Sequence, residues 1–207
     1  MDRKITRQIN VGGVPVGGGA PVTVQSMTNT KTEDARATVE QIAKLRDAGC
    51  DIVRLAVPTA EAAEALREIV PRAGIPVVAD IHFDYRLAIA AAAAGCAKIR
   101  INPGNIGGRE NVAAVARAGR ERGVPIRIGG HAGSLERDLL GKYGHPTPEA
   151  MVESARRHID MLTDCGFDDI CLSLKASDVP LTVAAYRLAS ERFTYPLHLG
   201  VTEAGTS

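Results

Sequence analysis

Tryptophan is absent from these 207 residues and aromatic side chains make up only 3% of them, which excludes a surface built to stack nucleic-acid bases. An excess of charge of one sign is missing too. Lys and Arg number 25 against 24 Asp and Glu, a formal net charge of +1. A broad electrostatic footprint for nucleic acid is therefore excluded, and any anion binding must come from local clustering. No apolar run approaches the roughly 20 residues that cross a bilayer. The opening Met1-Asp2-Arg3-Lys4-Ile5 has no apolar signal-peptide core, so a cytoplasmic protein with no membrane partner is expected. The four cysteines, Cys50, Cys96, Cys165 and Cys171, show no Cys-x-x-Cys spacing. They read as buried free thiols rather than a disulfide framework or a metal site, and no metal ligand is expected in this chain.

What the chain does have is alternation. Hydrophobic residues make up 45% of it, enough for one domain with a sizeable core. Residues 5–10 and 14–16 predict a small hairpin around Gly12-Gly13, inside the first 20 residues. The Gly17-Gly18-Gly19 turn that follows lacks the Gly-Lys-Ser/Thr ending of a phosphate loop. Short runs rich in Val, Ile and Leu at 22–26, 51–57, 76–82, 98–102, 125–129, 169–175 and 197–202 have the composition of parallel strands buried on both faces. Helix starts lie between them. Thr30 with Glu33 makes a capping-box pattern, Thr59 and Asp84 open the next two helices, Thr147-Pro148-Glu149 a later one, and Ser177 or Asp178 the sixth.

Seven strands alternating with six helices imply βαβ repetition, in a barrel or in a doubly wound sheet. Even repeat lengths and the lack of a dinucleotide glycine fingerprint favour the TIM-type (β/α)8 barrel. So does an internal repeat: Ala48-Gly49-Cys50-Asp51-Ile52-Val53-Arg54 against Ala94-Gly95-Cys96-Ala97-Lys98-Ile99-Arg100, with Gly123-Val124-Pro125-Ile126-Arg127 a looser third copy. The last strand signal runs almost to Ser207. The expectation is one substrate-binding barrel domain over 1–207, incomplete at its C-terminus and without an eighth strand.

Polar residues gather near the C-terminal ends of these strands, where barrels of this type build active sites. They are Arg54, Asp80 and His82, Arg100 and Asn102, Arg127, Ser173 and Lys175, then His198, Thr202 and Glu203. Side chains two apart on a strand share a face. Four converging cations, Arg54, Arg100, Arg127 and Lys175, would repel one another unless a multiply charged anion sat among them. The loop Asn102-Pro103-Gly104-Asn105-Ile106-Gly107-Gly108 offers further backbone N–H donors. Asp80 and His82 are a metal pair lacking a third ligand, or a hydrogen-bonded pair near substrate. His131, in Gly129-Gly130-His131-Ala132-Gly133, faces a ligand or merely solvent. Glu203 is a charge partner of the cations or a catalytic acid. His145 and His158 read as surface residues.

Several longer motifs add a resemblance. Val24-Gln25-Ser26-Met27-Thr28-Asn29-Thr30, Ala79-Asp80-Ile81-His82-Phe83-Asp84, Arg100-Ile101-Asn102-Pro103-Gly104-Asn105-Ile106-Gly107, Ala132-Gly133-Ser134-Leu135-Glu136, Lys175-Ala176-Ser177-Asp178 and Thr202-Glu203-Ala204-Gly205 closely resemble the bacterial 4-hydroxy-3-methylbut-2-en-1-yl diphosphate synthases of the non-mevalonate isoprenoid pathway. The resemblance covers essentially the whole chain. It implies a barrel that binds 2-C-methyl-D-erythritol 2,4-cyclodiphosphate, whose ring is reductively opened with two electrons from flavodoxin or ferredoxin. It implies diphosphate contacts from Arg54, Arg100, Arg127 and Lys175, further substrate contacts from Asn102, His131 and Thr202, and Asp80, His82 and Glu203 beside the reacting groups. In that family a [4Fe–4S] cluster is held by three cysteines and a glutamate of a separate C-terminal domain, which caps the partner's barrel in a head-to-tail homodimer. The four cysteines here do not match those ligands, so the chain by itself is expected to be inactive. His131 departs from the family's pattern, which has Asn there. The rival expectation is a non-catalytic or different phosphate-binding barrel, such as a pterin-synthase-like enzyme.

Overall fold

The structure is a computed structural model that describes residues 4–200. Two strands, β1 (Gln8–Val11) and β2 (Val14–Gly17), form the antiparallel hairpin anticipated near the N-terminus. The barrel sheet follows: β3 (Gln25–Met27), β4 (Ile52–Ala56), β5 (Val77–Asp80), β6 (Lys98–Ile101), β7 (Ile126–His131) and β8 (Ile170–Lys175). These six strands are parallel and pair strictly in sequence order. The helices are α1 (Ala35–Asp47), α2 (Ala60–Arg72), α3 (Tyr85–Ala93), α4 (Arg109–Arg122), α5 (Arg137–Tyr143), α6 (Pro148–Thr163) and α7 (Val179–Arg192).

The strand alternation divides the residues sharply. One face of each strand, including Val53, Leu55, Ile99, Ile101, Ile126, Ile128, Leu172 and Leu174, packs into a single large core against the helices. The opposite face carries Arg54, Asp80, Lys98, Arg100, Arg127, Ser173 and Lys175 and points into the barrel. Below this charged layer, Ile9 and Val11 of the hairpin pack with Ile52, Val78 and Cys171 as a small second core that plugs the N-terminal end. The apolar shell holds the fold together, and the interior is left for charge. Of the cysteines, Cys50, Cys96 and Cys171 are buried, Cys165 is half-buried, and all four are free. Burial pushes the Cys96 thiol up to about 12.

Several local readings are corrected. The expected capping box at Thr30 and Glu33 does not form. Asp34 caps α1 instead, its carboxylate accepting the Ala37 N–H at 3.0 Å. Glu33 accepts from the Thr59 hydroxyl at 3.0 Å, because residues 29–33 are a loop tied back to α1 through Gln41. The starts at Thr59, Asp84, Thr147 and Asp178 are as expected, each side chain accepting an N–H of the first turn. The described residues form seven α-helices rather than six. The additional α5 is seven residues long with Leu139 as its one buried side chain, too short for helical periodicity to show. The first barrel strand is shorter than expected because the Asp51 carboxylate takes the Val24 N–H at 2.7 Å, where the ladder would otherwise begin. Of the expected strand at 197–202 the described residues show one parallel bridge, Leu172 with Leu197. It is supported by Leu172 N–H to Pro196 O at 3.0 Å and His198 N–H to Leu172 O at 2.7 Å. Thr202 and Glu203, both candidate site residues, lie outside the described residues. Between β3 and this bridge is a cavity of about 410 Å³ rimmed by Val22 and Leu199.

Candidate functional site

The internal repeat is the device that builds the site. Gly49, Gly95 and Gly123 each end a helix with a positive φ, 93°, 91° and 64°, a conformation that suits glycine. The strand that follows then carries an arginine on its inward face. Arg54, Arg100 and Arg127 thus arrive on three strands, and Arg100 and Arg127 are direct cross-strand partners, as are Asp80 and Arg100.

Asp80, 3% exposed, is the hub. Its Oδ1 accepts from Arg100 Nη1 at 3.0 Å, while Oδ2 lies 3.6 Å from Arg54 Nε and 3.4 Å from His82 Nε2. Arg54 also touches the Met27 sulfur through Nη2 at 2.9 Å. His82 stands at the rim, half exposed, beside the exposed Phe83 ring. Asp80 and His82 are therefore neighbours at the mouth, 3.4 Å apart. Among the described residues no group of three His, Cys, Asp or Glu is placed to hold a metal ion.

Around this hub positive charge is in large excess. Arg127 is 1% exposed, and its Nε and Nη1 have no hydrogen-bond partner; Arg100 Nε is likewise buried and unpartnered. Burial, followed by repulsion from Arg54, holds Arg127 down to about 10. Lys175 is lowered to about 8, first by burial and then by Arg127, Arg54 and Arg100. Burial also lowers Arg54, and Asp80 opposes that shift. His198 is driven to about 2 by burial and by the neighbouring cations, chiefly Arg127 and Lys98, so it is a neutral imidazole at any physiological pH. Leaving charged donors buried and unpaired is costly. The arrangement is complementary to an anion with several oxygens, which would satisfy the forked guanidinium donors together.

Lys98 was missed by the sequence reading. It is 2% exposed, inward-facing, hydrogen-bonded to Gln25 Oε1 at 3.2 Å, and lowered to about 8 by burial. The signal was present, since Lys98, Arg100 and Asn102 are spaced by two and share one face. Asn102 is buried, and its Oδ1 accepts the Gly104 N–H at 3.0 Å, shaping the loop above β6. Ser173 donates to Ile128 O at 3.3 Å. His131 pairs with Lys175 across the β7–β8 ladder. Its Nδ1 accepts the Gly133 N–H at 3.0 Å, capping the short 3-10 turn Ala132–Ser134.

His158 is not a surface residue, although His145 is exposed as expected. His158 is 3% exposed because α6 turns it inward with Met151, Ala155, Ile159 and Leu162. Its Nε2 lies 3.3 Å from Glu136 Oε1, which also accepts from the Ser154 hydroxyl at 3.1 Å. This cluster ties the segment after β7 to α6. The His158 contact is the chief cause holding the Glu136 carboxyl down to about 2. A depressed acid stabilises the fold fully above its unfolded value near 4.3 and loses that contribution as pH falls toward 2. Urea unfolding between pH 5 and 2 is therefore expected to show a steeper acid loss in the wild-type chain than in Glu136→Gln. Identical slopes would exclude the pair from the acid limb.

Comparison with known proteins gives a consistent result. The family model described as the GcpE TIM-barrel domain matches residues 6–207. A 4-hydroxy-3-methylbut-2-en-1-yl diphosphate synthase (flavodoxin) from Geobacter sulfurreducens is 63% identical over 201 residues, covering 97% of this chain and 57% of the relative. The enzyme of the same name from Caldanaerobacter subterraneus subsp. tengcongensis is 58% identical over 204 residues, covering 99% of this chain and 58% of the relative. The chain thus spans a little over half the length of these curated relatives. Solved structures share the fold alone. A truncated 3-deoxy-D-arabino-heptulosonate 7-phosphate synthase from Thermotoga maritima superposes with a TM-score of 0.69 at 15% identity, over 93% of this chain and 68% of that one. A 7,8-dihydropteroate synthase from Vibrio fischeri gives 0.63 at 16% identity, over 92% and 76%. The pterin-synthase likeness is therefore one of architecture.

Proposed function

Because the chain belongs to the GcpE TIM-barrel family, we propose that its cationic interior clamps 2-C-methyl-D-erythritol 2,4-cyclodiphosphate, the cyclic substrate that is reductively opened to 4-hydroxy-3-methylbut-2-enyl diphosphate in isoprenoid biosynthesis. The observation that carries this reading is the imbalance inside the barrel: among the described residues, Arg54, Lys98, Arg100, Arg127 and Lys175 face one inward carboxylate, that of Asp80, with guanidinium N–H groups left buried and unpartnered. Arg54, Arg100, Arg127 and Lys175 would take the diphosphate oxygens. Fixed donors of this kind stabilise the charge that grows on the diphosphate as the ring C–O bond breaks, and they need no reorganisation at that moment. His82 stands at the rim with Asp80 buried behind it, and with Glu203 they would sit near the diphosphate or hydroxyl groups of the ligand. Asn102, His131 and Thr202 would line the remainder of the mouth.

The described residues do not fit a [4Fe–4S] cluster. Cys96 and Cys171 are buried with raised pKa values, and no cysteine pair stands with other ligands in a metal-binding group. The iron–sulfur cluster of the reductive reaction would be supplied by a further domain, facing this barrel from the partner of a homodimer. Its electrons would come from flavodoxin, the donor in the relatives' names, and the cytoplasm is the compartment that suits these partners. The test is calorimetric titration of the chain with the cyclic diphosphate, beside a turnover assay with reduced flavodoxin. Binding without turnover is expected. An affinity unchanged in an Arg100→Ala, Arg127→Ala double variant would sink the site assignment.

A further inference from the structure

We infer that Gly129 is a positioning residue of this site: the bare inner face it gives β7 is the space in which the Arg100 guanidinium is held. The inference rests on the reading of the cation cluster as an anion clamp. Gly129 has no backbone reason to be glycine, since its φ lies outside the left-handed region. Its reason is room. A Cβ at this position would lie 2.2 Å from Arg100 Nε, 2.8 Å from Cζ and 2.7 Å from Nη2.

The register explains why the two meet. Arg100 pairs directly with Arg127, and Gly129 is two residues further along the same strand, on the same face. The Arg100 side chain rises from β6 toward the mouth and lies across β7 at the one place with no side chain. There it is bounded on one side by Asp80 Oδ1, 3.0 Å from Nη1, and on the other by Gly129 O, 3.5 Å from Nη2. Its Nε is buried and unpartnered. One fork of the guanidinium is therefore committed to Asp80, and the orientation of the rest is set by the flat peptide at Gly129. Neighbouring Gly130 makes a useful contrast. A Cβ there would approach Leu174 Cδ2 at 3.2 Å and Ser173 O at 3.3 Å, a tight contact on the opposite face that touches none of the cations.

A methyl group at 129 meets the far end of a flexible side chain, so the fold can accommodate it by swinging Arg100 aside. The fold is preserved, and the donor geometry is not. That combination separates positioning from a purely structural role. The test is a double-mutant cycle on the 207-residue chain, reading thermal unfolding and the affinity for the cyclic diphosphate in wild type, Gly129→Ala, Arg100→Ala and the double variant. Gly129→Ala is expected to bind about tenfold or more weakly, the loss of one charge-assisted contact, while still unfolding in one cooperative transition. Within Arg100→Ala, adding Gly129→Ala should change affinity no further. Wild-type affinity in Gly129→Ala, or losses that multiply in the double variant, would overturn the inference while leaving the clamp intact. Failure of the wild-type chain to bind the diphosphate at all would overturn the clamp itself and this inference with it. Should Gly129→Ala melt early, the Arg100→Ala background decides the matter: with the guanidinium gone the clash is gone, so adding Gly129→Ala there should lower neither melting temperature nor affinity further, and a further loss of either would overturn the inference.

Discussion

Arg127→Met will raise the melting temperature of the ligand-free chain and remove most of its affinity for the cyclic diphosphate. Arg127 is among the largest fully buried side chains, with two guanidinium nitrogens lacking any partner and its charge opposed by Arg54 and Arg100. Replacing buried ionic groups by apolar side chains of similar volume ranges from neutral to a gain of about 1–4 kcal/mol, and Arg127, with unpartnered nitrogens, lies at the favourable end. For a chain of this size that is roughly 2–4 °C per kcal/mol. The same change removes donors that only an anion satisfies, and each charged hydrogen bond is worth about 1.5–3 kcal/mol. Stability and affinity should therefore move in opposite directions, read by calorimetric unfolding and by titration. A variant that melts earlier than wild type would mean that Arg127 has partners inside the barrel which the geometry does not reveal.

Asp80→Asn is the converse case. Among the described residues Asp80 is the one carboxylate placed against the interior cations, contacting Arg54, Arg100 and His82. Asparagine keeps the shape and removes the charge, leaving two guanidinium groups facing each other with nothing between them. Breaking a buried pair on one side costs about 3–5 kcal/mol, a fall in melting temperature on the order of 10 °C. The deficit is electrostatic, so added diphosphate should replace the missing negative charge. Its stabilising shift is expected to be larger in the variant than in wild type. An unchanged melting temperature would show that water or flexible side chains already screen the hub. A smaller ligand shift would assign Asp80 to the substrate directly rather than to the arginines.

The arginines of the site were legible in the sequence for a definite reason. A helix-ending glycine followed by a short apolar strand fixes both the position and the face of the residue that comes next, and the chain does this three times, before Arg54, Arg100 and Arg127. Lys98 escaped because only the far ends of strands were read for function, although the same period-two rule places it beneath Arg100. His158 was misread as well. The face was readable, since Met151, Ala155 and Leu162 stand at helical spacings from it, but only the packing of Glu136 shows what partner keeps a polar residue there. Helix α5 was lost to shortness, since one buried leucine leaves no periodic trace, and the cap was misplaced by four residues because Thr30 and Glu33 have capping-box spacing while Asp34 makes the cap. The depth of the electrostatic imbalance was not readable at all, because formal charge over the chain is close to neutral and only folding sorts the cations inward.

The strictly sequential strand order also bears on how the chain is made. Each parallel strand from β4 to β8 pairs with the one that precedes it, so every new βα unit leaving a ribosome finds its template already synthesised. The hairpin is the exception. Ile9 and Val11 precede every barrel strand in the chain, yet they pack against Cys171 as well as Ile52 and Val78, and Arg7 donates its backbone N–H to Thr194 O at 2.7 Å. The hairpin is thus made before the barrel strands and seated after them, and it closes the bottom of the barrel only once the segment carrying Cys171 and Thr194 has followed it.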